Sequence, residues 1–555
     1  MESSISESGM SGKLAKTAQT VDCVCAAGHL SMAFMSFAKS LFTVSGLTIL
    51  SRITGFVRDT MLAMFMGAGP TADAFFVAQR LPNMFRSLFA EGAFTAAFVP
   101  IYSAEAEKKG TEAAQRFAGE AMAILVSALL PFVMLFLLLM PYVVLVIAPG
   151  FGDEPEKYQT TISFSRIMFP YLLLISVTAL QSGVLNARGH FGAPAAAPIT
   201  QNIMMIIGLF CIYLFKLPAG LTLSWIFLVS GFLQALWLAV SCRRAGVTIP
   251  MIRPHLSEAG KRLFKLIGPG AVGAGAAQIN ILLSTILAST LPTGAISYLF
   301  YADRLNQLPL GIIGIAVATT LLPILSRHEA KKDSGAILHY TSRAIEFSLL
   351  FGLPAAIGLG FAAEPIIQTL FERGQFSHGD TVNTARALMA YSLGVPAFLL
   401  VKVFSARFLA RHDVKTPVRI AIISMVTNVV CALLLIGLFR HVGIAMATTV
   451  ASWFNAGHLY LRLRRRGEKM ADEKLKYRIP RLLLSAAVMG IVTLLVVNLT
   501  ADWYMESGIV QKISALAMII GSSALTYAVL LQLTGAMRWR EALAIVQRKE
   551  TPGRA

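Results

Sequence analysis

Arginine side chains stand inside stretches of sequence that are otherwise apolar enough to lie in a lipid bilayer. Arg52 falls in "SRITGFVRDT", Arg86 in "AQRLPNMFRSLF" and Arg304 in "YADRLNQLPL". An arginine at the centre of a spanning helix costs roughly 2.5–3.5 kcal/mol, so these positions predict a hydrated cavity and not contact with lipid. A guanidinium offers two parallel N–H donors, which suit phosphate oxygens. The three arginines therefore predict a cationic cavity that holds a phosphate-bearing anion. Arg58, nearer the helix end, could instead extend toward the membrane surface.

Acidic residues accompany these arginines. Asp59 lies seven residues after Arg52, on the same helix face, and Asp303 directly precedes Arg304. Both predict partners that offset the charge of a neighbouring arginine. Asp73 follows the "GAGPT" turn and has no cation beside it in the sequence, which leaves open a helix N-terminal charge or a gating role.

Two further polar residues lie in apolar surroundings. Lys402 stands in "FLLVKVFSARF", where a role in the cavity and an extension toward the membrane surface are both possible. Asn83 lies one turn before Arg86 and is predicted, with Asp59, Asp303 and Lys402, to support the arginine site.

The composition indicates that nearly the whole chain lies in a membrane. Of 555 residues, 56% are hydrophobic and 14% are charged, whereas a soluble domain has about 25% charged residues. About fourteen apolar stretches are long enough to cross a bilayer, which predicts an all-α polytopic membrane protein. The formal net charge of +19 resides mainly in loops on one side of this topology. The positive-inside rule then predicts cytoplasmic termini and accounts for the charge without a nucleic-acid partner.

Two sequence matches at a common spacing indicate an internal duplication. "PIYSAEAEKK" matches "PILSRHEAKK", and "LNARGHFGAP" matches "FLARHDVKTP". The spacing from Pro100 to Pro323 equals that from Pro194 to Pro417, and we call it the repeat offset. The sequence therefore predicts two parallel, pseudo-symmetric six-helix lobes, with a substrate site between them. The predicted divisions are an N-terminal extension, taken as disordered (1–35), an N-lobe (36–250), a C-lobe (251–466) and two added helices with a basic tail (467–555).

No pattern in the sequence predicts catalysis. The five cysteines lack metal or redox spacing, the nine histidines form no ligand cluster, and no nucleotide-binding loop occurs. We therefore expect no enzymatic activity, no cofactor and no metal. Transport would depend on an ion gradient or on the membrane potential, which supplies about 2.3 kcal/mol per charge per 100 mV.

The stretch "SRITGFVRDTMLAMFMGAGPTADAFFVAQRLPNMFRSLFAEGAF" resembles the MurJ (MviN) family of bacterial lipid II flippases, in the multidrug/oligosaccharidyl-lipid/polysaccharide exporter superfamily. The similarity continues through "YADRLNQLPLGIIGIAVATTLLP" and "ARHDVKTPVRIAI" and covers roughly residues 35 to 535. It implies an inward- to outward-facing cycle in the bacterial cytoplasmic membrane, with undecaprenyl-diphosphate-linked peptidoglycan precursor as cargo. It also implies membrane lipids and cell-wall synthesis proteins as partners. By position, the family's functional residues fall on Arg52, Arg58, Arg86, Arg304 and Asp73.

Two positions depart from the family pattern, and three alternative functions stay open. Family members commonly have a glutamate three positions after the arginine that corresponds to Arg304, and this chain has Gln307 there. Some members bind sodium through an asparagine and an aspartate one turn apart, and here Asn428 is followed one turn later by Ala432. The alternatives are a drug/cation antiporter of the same superfamily, a flippase for another lipid-linked oligosaccharide, and a membrane scaffold without transport activity.

Overall fold

A computed structural model describes residues 43–89, 93–255, 257–505 and 508–537. The predicted N-terminal extension, 1–35, and most of the basic C-terminal tail lie outside these residues. Within them, every regular element is a helix, which confirms the predicted all-α class.

The first half of the chain contributes eight α-helices and one short 3₁₀ turn, Pro149–Asp153. The helices are α1 (43–66), α2 (Pro70–Phe89), α3 (Ala93–Lys109), α4 (Thr111–Ile147), α5 (Pro155–Met168), α6 (Tyr171–Ala187), α7 (Gly192–Phe215) and α8 (Ala219–Arg244).

The second half contributes eleven more helices. They are α9 (Glu258–Ser289), α10 (Ala295–Ala330), α11 (Ser334–Phe361), α12 (Ala363–Phe371), α13 (His378–Ser392), α14 (Val395–Ala410), α15 (Lys415–Phe439), α16 (His441–Arg465), α17 (Glu473–Leu499), α18 (Asp502–Met505) and α19 (Ile509–Leu533).

Ten helical segments among the described residues are long and apolar enough to cross a membrane, counting α5 with α6 and α13 with α14 as single spans. The chain is thus a polytopic membrane protein, while the predicted number of about fourteen spans stays a prediction. Seven helices fall outside the ten: α1, α2, α3, α9, α12, α16 and α18. For α2 the reason is its charge, because Asp73, Arg80 and Arg86 all lie within its twenty residues.

The repeat offset recurs in the helix boundaries. Helix α4 begins at Thr111 and α11 at Ser334, α5 at Pro155 and α13 at His378, and α7 at Gly192 and α15 at Lys415. The interruption between α5 and α6, at 169–170, also has a counterpart between α13 and α14, at 393–394. The two halves of the chain therefore share one order of helices.

The two halves meet closely at one end of the bundle. There the backbone N–H of Gln375 donates to the carbonyl of Met64 at 2.9 Å. A Cβ on Gly67 would overlap the carbonyl of Gln375, and a Cβ on Gly374 would overlap that of Met64, so glycine permits this approach. Both glycines have positive φ, 58° and 60°. We call this region, residues 64–69, 289–294 and 374–375, the closed end.

Candidate functional site

A cavity of about 280 Å³ lies between the two halves of the chain. Helix α2 supplies one wall, α9 and α10 supply the others, and Ile147 of α4, Tyr391 of α13 and Thr448 of α16 complete the lining. Toward the closed end, the rings of Phe76 and Phe300 stack with centroids 3.9 Å apart. Because α2 and α10 come from opposite halves, a movement of one half against the other would change the shape of this cavity.

The charged groups that line this cavity are Arg80, Asp303 and Arg304. Two guanidinium groups against one carboxylate make the lining cationic. Asp303 accepts a hydrogen bond from Gln307, and the guanidinium of Arg304 lies 4.6 Å from the ring centroid of Phe300. The Nε of Arg80 is buried, with no hydrogen-bond partner among the described residues. The cavity lining therefore carries net positive charge, and one N–H of its buried arginine has no partner among the described residues.

Asp59 links two of the predicted arginines. It is 4% exposed; one carboxylate oxygen accepts hydrogen bonds from Arg58 at 2.7 and 3.0 Å, and the other lies 3.4 Å from Nε of Arg304. Arg58 also donates to the side-chain carbonyl of Asn202 in α7, at 2.8 Å. The predicted pairing of Asp59 with neighbouring arginines is present. Arg58 is oriented toward α7, and its guanidinium is hydrogen-bonded to both Asp59 and Asn202.

Arg52 lies against α10, two turns from Arg304. A Cβ placed on Gly311 would collide with the guanidinium of Arg52, so this guanidinium rests on the helix backbone. Arg52 and Asp59 are seven residues apart, as are Gly311 and Arg304. Arg52 lies beside Gly311, and Asp59 lies beside Arg304, so α1 and α10 run antiparallel where they meet. We call this contact between α1 and α10 the seam.

Three of the predicted residues line the cavity, and six do not: Arg52, Arg58, Asp59, Asp73, Arg86 and Lys402. Asn83 lines the cavity. Arg86 is not among the lining residues; it is in the last turn of α2, beside Ser87, whose hydroxyl accepts a hydrogen bond from Gln278 at 3.1 Å. Lys402 is exposed on α14 and is also absent from the lining. The structure thus does not bring Arg86 and Lys402 into this cavity.

Asp73 joins the two halves of the chain at the closed end. Its carboxylate accepts hydrogen bonds from the backbone N–H groups of Gly294 and Ser297, at 2.7 and 3.0 Å, and from the Ser297 hydroxyl at 2.6 Å. The sequence suggested a charge at its own helix N-terminus, but the N–H groups that Asp73 binds belong to α10. Lys157 supplies a cation, with Nζ 3.4 Å from the carboxylate. Lys157 also donates to Thr293 at 3.1 Å.

Sequence reasoning missed two residues of this arrangement, Arg80 and Lys157. For Arg80 a signal existed, because it lies four residues after Phe76 and three before Asn83, on one face of α2. For Lys157 no local signal existed, since it lies on another helix, far along the chain from Asp73.

Comparisons with known proteins point to one family. The family model described as lipid II flippase MurJ matches residues 62–514. A probable lipid II flippase MurJ from Rhizobium meliloti is 44% identical over 460 residues, which cover 82% of this chain and 86% of the relative. One from Rickettsia prowazekii is 34% identical over 486 residues, covering 88% and 95%.

Solved structures show the same fold. A lipid II flippase MurJ in an inward closed conformation matches with a TM-score of 0.74 and 25% identity, covering 90% of this chain and 99% of that one. An inward-facing multidrug transporter of the MATE family matches with a TM-score of 0.64, covering 77% and 97%, and at 13% identity it shows the fold alone.

Proposed function

We propose a transport mechanism for this chain, which belongs to the MurJ family of lipid II flippases: the cavity between α2, α9 and α10 receives the diphosphate of lipid II at one membrane face and releases it at the other. The observation that carries this proposal is that Arg80 and Arg304, from opposite halves of the chain, line one cavity beside the closed end. Guanidinium groups bind phosphate oxygens through paired, charge-assisted hydrogen bonds.

The orientation follows from the loops. Basic residues cluster at Arg243–Arg244, Lys331–Lys332 and Arg464–Arg466, so the positive-inside rule places these loops, and both termini, in the bacterial cytoplasm. The closed end then faces outward, and the cavity belongs to a state that loads from the inner leaflet. Opening requires Asp73 to release α10, after which the cargo can leave for the outer leaflet.

The remaining predicted arginines act along the path to this cavity. Arg52 and Arg58 occupy the α1 side of the seam with α10, and Asp59 holds Arg58 and Arg304 together until an anion competes for them. Arg86, next to the α2–α9 contact at Ser87, would meet the cargo on its way in. The membrane potential or an ion gradient would drive the cycle, because moving one charge through 100 mV supplies about 2.3 kcal/mol.

The experiment that tests this proposal is lipid II translocation in proteoliposomes. We expect Arg80→Gln and Arg304→Gln each to lower the rate at least tenfold, because one charge-assisted contact contributes about 1.5–3 kcal/mol. Arg304→Lys should retain part of the activity, since lysine keeps the charge but not the planar fork. Arg465→Gln, an exposed arginine at the far end of α16, is the control. Normal transport by both glutamine variants would contradict the proposal.

A drug/cation antiporter is the alternative function for which a differently charged cavity is expected. Its cavity would be dominated by acids, whereas Asp303 is the one carboxylate among the described residues that line this cavity. A cation exporter should gain from Arg304→Gln, because the change removes positive charge, while a lipid II flippase should lose activity.

A further inference from the structure

A second cavity, of about 720 Å³, lies within the C-terminal half of the chain and shares no lining residue with the first. Helices α11 and α13 and the turn between α15 and α16 form it. We call it the C-half pocket. Its polar lining is Asn383, Arg386, Ser392, Arg440 and His441, and the other lining residues are apolar or glycine. The pocket plays no part in the mechanism proposed above.

The C-half pocket is cationic and its charges are not neutralised. Arg386 and Arg440 are both exposed, and neither forms an ion pair within the part of the chain that the structure describes. Both arginines line the pocket together with His441. The Nε2 of His441 lies 2.9 Å from the carbonyl oxygen of Asn383, which directs the ring toward the backbone. The two guanidinium groups are left to bind an external anion.

Arg440 is held in an unusual position. It is the single residue between α15 and α16, and its φ of 50° lies in the left-handed region, which a non-glycine residue rarely adopts. A turn that follows a membrane-spanning helix such as α15 lies at the level of the lipid headgroups. The Arg440 side chain is therefore presented where headgroup phosphates are found.

The internal repeat indicates that the scaffold does not need these charges. At the repeat offset, Arg386 of α13 corresponds to Ser163 of α5, and Arg440 before α16 corresponds to Leu217 before α8. The same helices thus fold in the N-terminal half without cations at these two positions. The charge at Arg386 and Arg440 belongs to a function of the C-terminal half.

The rim of the C-half pocket is apolar and open to the membrane. Phe361, Met389, Leu393 and Leu438 line it and are 42%, 46%, 64% and 79% exposed. A soluble anion would use the two arginines and leave this apolar wall unused. A molecule with a phosphate and long hydrocarbon chains would use both.

We propose that the C-half pocket binds an anionic glycerophospholipid of the surrounding membrane, separate from the transported cargo. Its phosphodiester lies between Arg386 and Arg440, and its acyl chains cover Leu438 and Phe361. Charge-assisted hydrogen bonds from two guanidinium groups favour an anionic headgroup over a zwitterionic one, whose ammonium group would meet the same two cations. The bound lipid would hold α11, α13 and the α15–α16 turn together.

Native mass spectrometry of the full-length protein, with phosphatidylglycerol and phosphatidylcholine supplied in equal amounts, tests this proposal. We expect the wild-type chain to retain phosphatidylglycerol preferentially. The double variant Arg386→Gln/Arg440→Gln should lose this preference by at least tenfold. Arg464→Gln/Arg465→Gln is the matched control, because it removes the same charge from exposed positions at the other end of α16. An unchanged preference in the first variant, or an equal loss in the control, would overturn the proposal.

A second measurement uses only the wild-type chain and therefore holds even if the double variant fails to fold. Phosphatidylglycerol should raise the thermal stability of the detergent-solubilised protein, and phosphatidylcholine should not. Equal effects of the two lipids, or an equal effect of inorganic phosphate alone, would refute a lipid site. Lipid II translocation by the double variant separates this inference from the proposed function. A variant that loses phosphatidylglycerol binding but still transports lipid II would support the lipid site and leave the proposed transport function unaffected.

Discussion

Asp73 of α2 accepts hydrogen bonds from both the backbone N–H and the hydroxyl of Ser297 in α10, at 3.0 and 2.6 Å. The same carboxylate accepts from the backbone N–H of Gly294, at 2.7 Å. A helix N-terminus carries partial positive charge, so a buried carboxylate is well placed there. These contacts fasten α10 of the second half to α2 of the first.

Replacing Asp73 with asparagine should loosen the closed end. The change keeps the size of the side chain but removes its charge, which leaves Lys157 buried with a weaker partner. A loss of about 2 kcal/mol would shift the ratio of closed to open forms roughly thirty-fold. Spin labels at positions 156 and 377, in a background without native cysteines, should then report longer and broader distances across this end.

The control for this change is Asp153→Asn, which alters an exposed carboxylate near the same end. Its distance distribution should match that of the unmodified background. Identical distributions for Asp73→Asn and the background would show that the carboxylate does not hold the closed end.

A covalent link across the closed end should stop transport. Met64 and Gln375 are exposed, and their backbones are joined by a hydrogen bond of 2.9 Å. Cysteines at these two positions, bridged by a short bismaleimide, should abolish lipid II translocation because the outer exit can no longer open. Each single-cysteine variant, treated with the same reagent, should remain active. Full activity in the bridged protein would exclude opening at this end.

Gly311→Ala should act through Arg52. A Cβ at this position would collide with the Arg52 guanidinium, which is the movable end of a flexible side chain. We therefore expect a folded protein in which Arg52 is displaced and translocation falls to about the level of Arg52→Ala. The double variant should show no further loss, because both changes remove the same contact. Gly437→Ala is the control, since nothing lies within 4 Å of a Cβ built there.

The stability of the C-terminal half should fall in acid through Asp472. Burial acts to raise the pKa of Asp472, but hydrogen bonds from the Leu475 backbone N–H and the Arg343 side chain outweigh it, so the pKa lies below its usual 3.8. A carboxylate with a lowered pKa stabilises the fold above the unfolded-state pKa, and this stability is lost as the pH falls through the folded-state value. Between pH 6 and pH 3, the Tm of the wild type should fall further than that of Asp472→Asn.

The neighbouring Glu473 supplies the comparison for this prediction. Its side chain is 90% exposed and pairs with the exposed Lys476, so Glu473→Gln should leave the acid sensitivity unchanged. Equal sensitivity in all three proteins would contradict the assignment to Asp472.

The sequence predicted the all-α class because this class depends on local pattern. Runs of about 20 apolar residues identify spanning helices, and the internal repeat anticipated the matching starts of α4 and α11. The pairing of Asp59 with an arginine was also predictable, since Arg58 is its neighbour in sequence.

Contacts between distant helices were not predictable in the same way. Helical spacing gives the face on which a residue lies, but not the helix that this face meets. Arg58 therefore could have pointed into the cavity, yet Asn202, much later in the chain, binds it on α7. Arg86 and Lys402 were predicted from their depth in apolar segments, and depth does not distinguish the cavity from the rest of the bundle.

The Asp73 contact also has a pharmacological consequence. Two of the three hydrogen bonds from Gly294 and Ser297 to this carboxylate come from main-chain amides, which persist whatever side chains a mutation installs there, unless proline is introduced. A small carboxylate compound that took the place of Asp73 would engage atoms that point mutations can hardly remove. Resistance would then have to arise at other side chains around the carboxylate, such as Lys157.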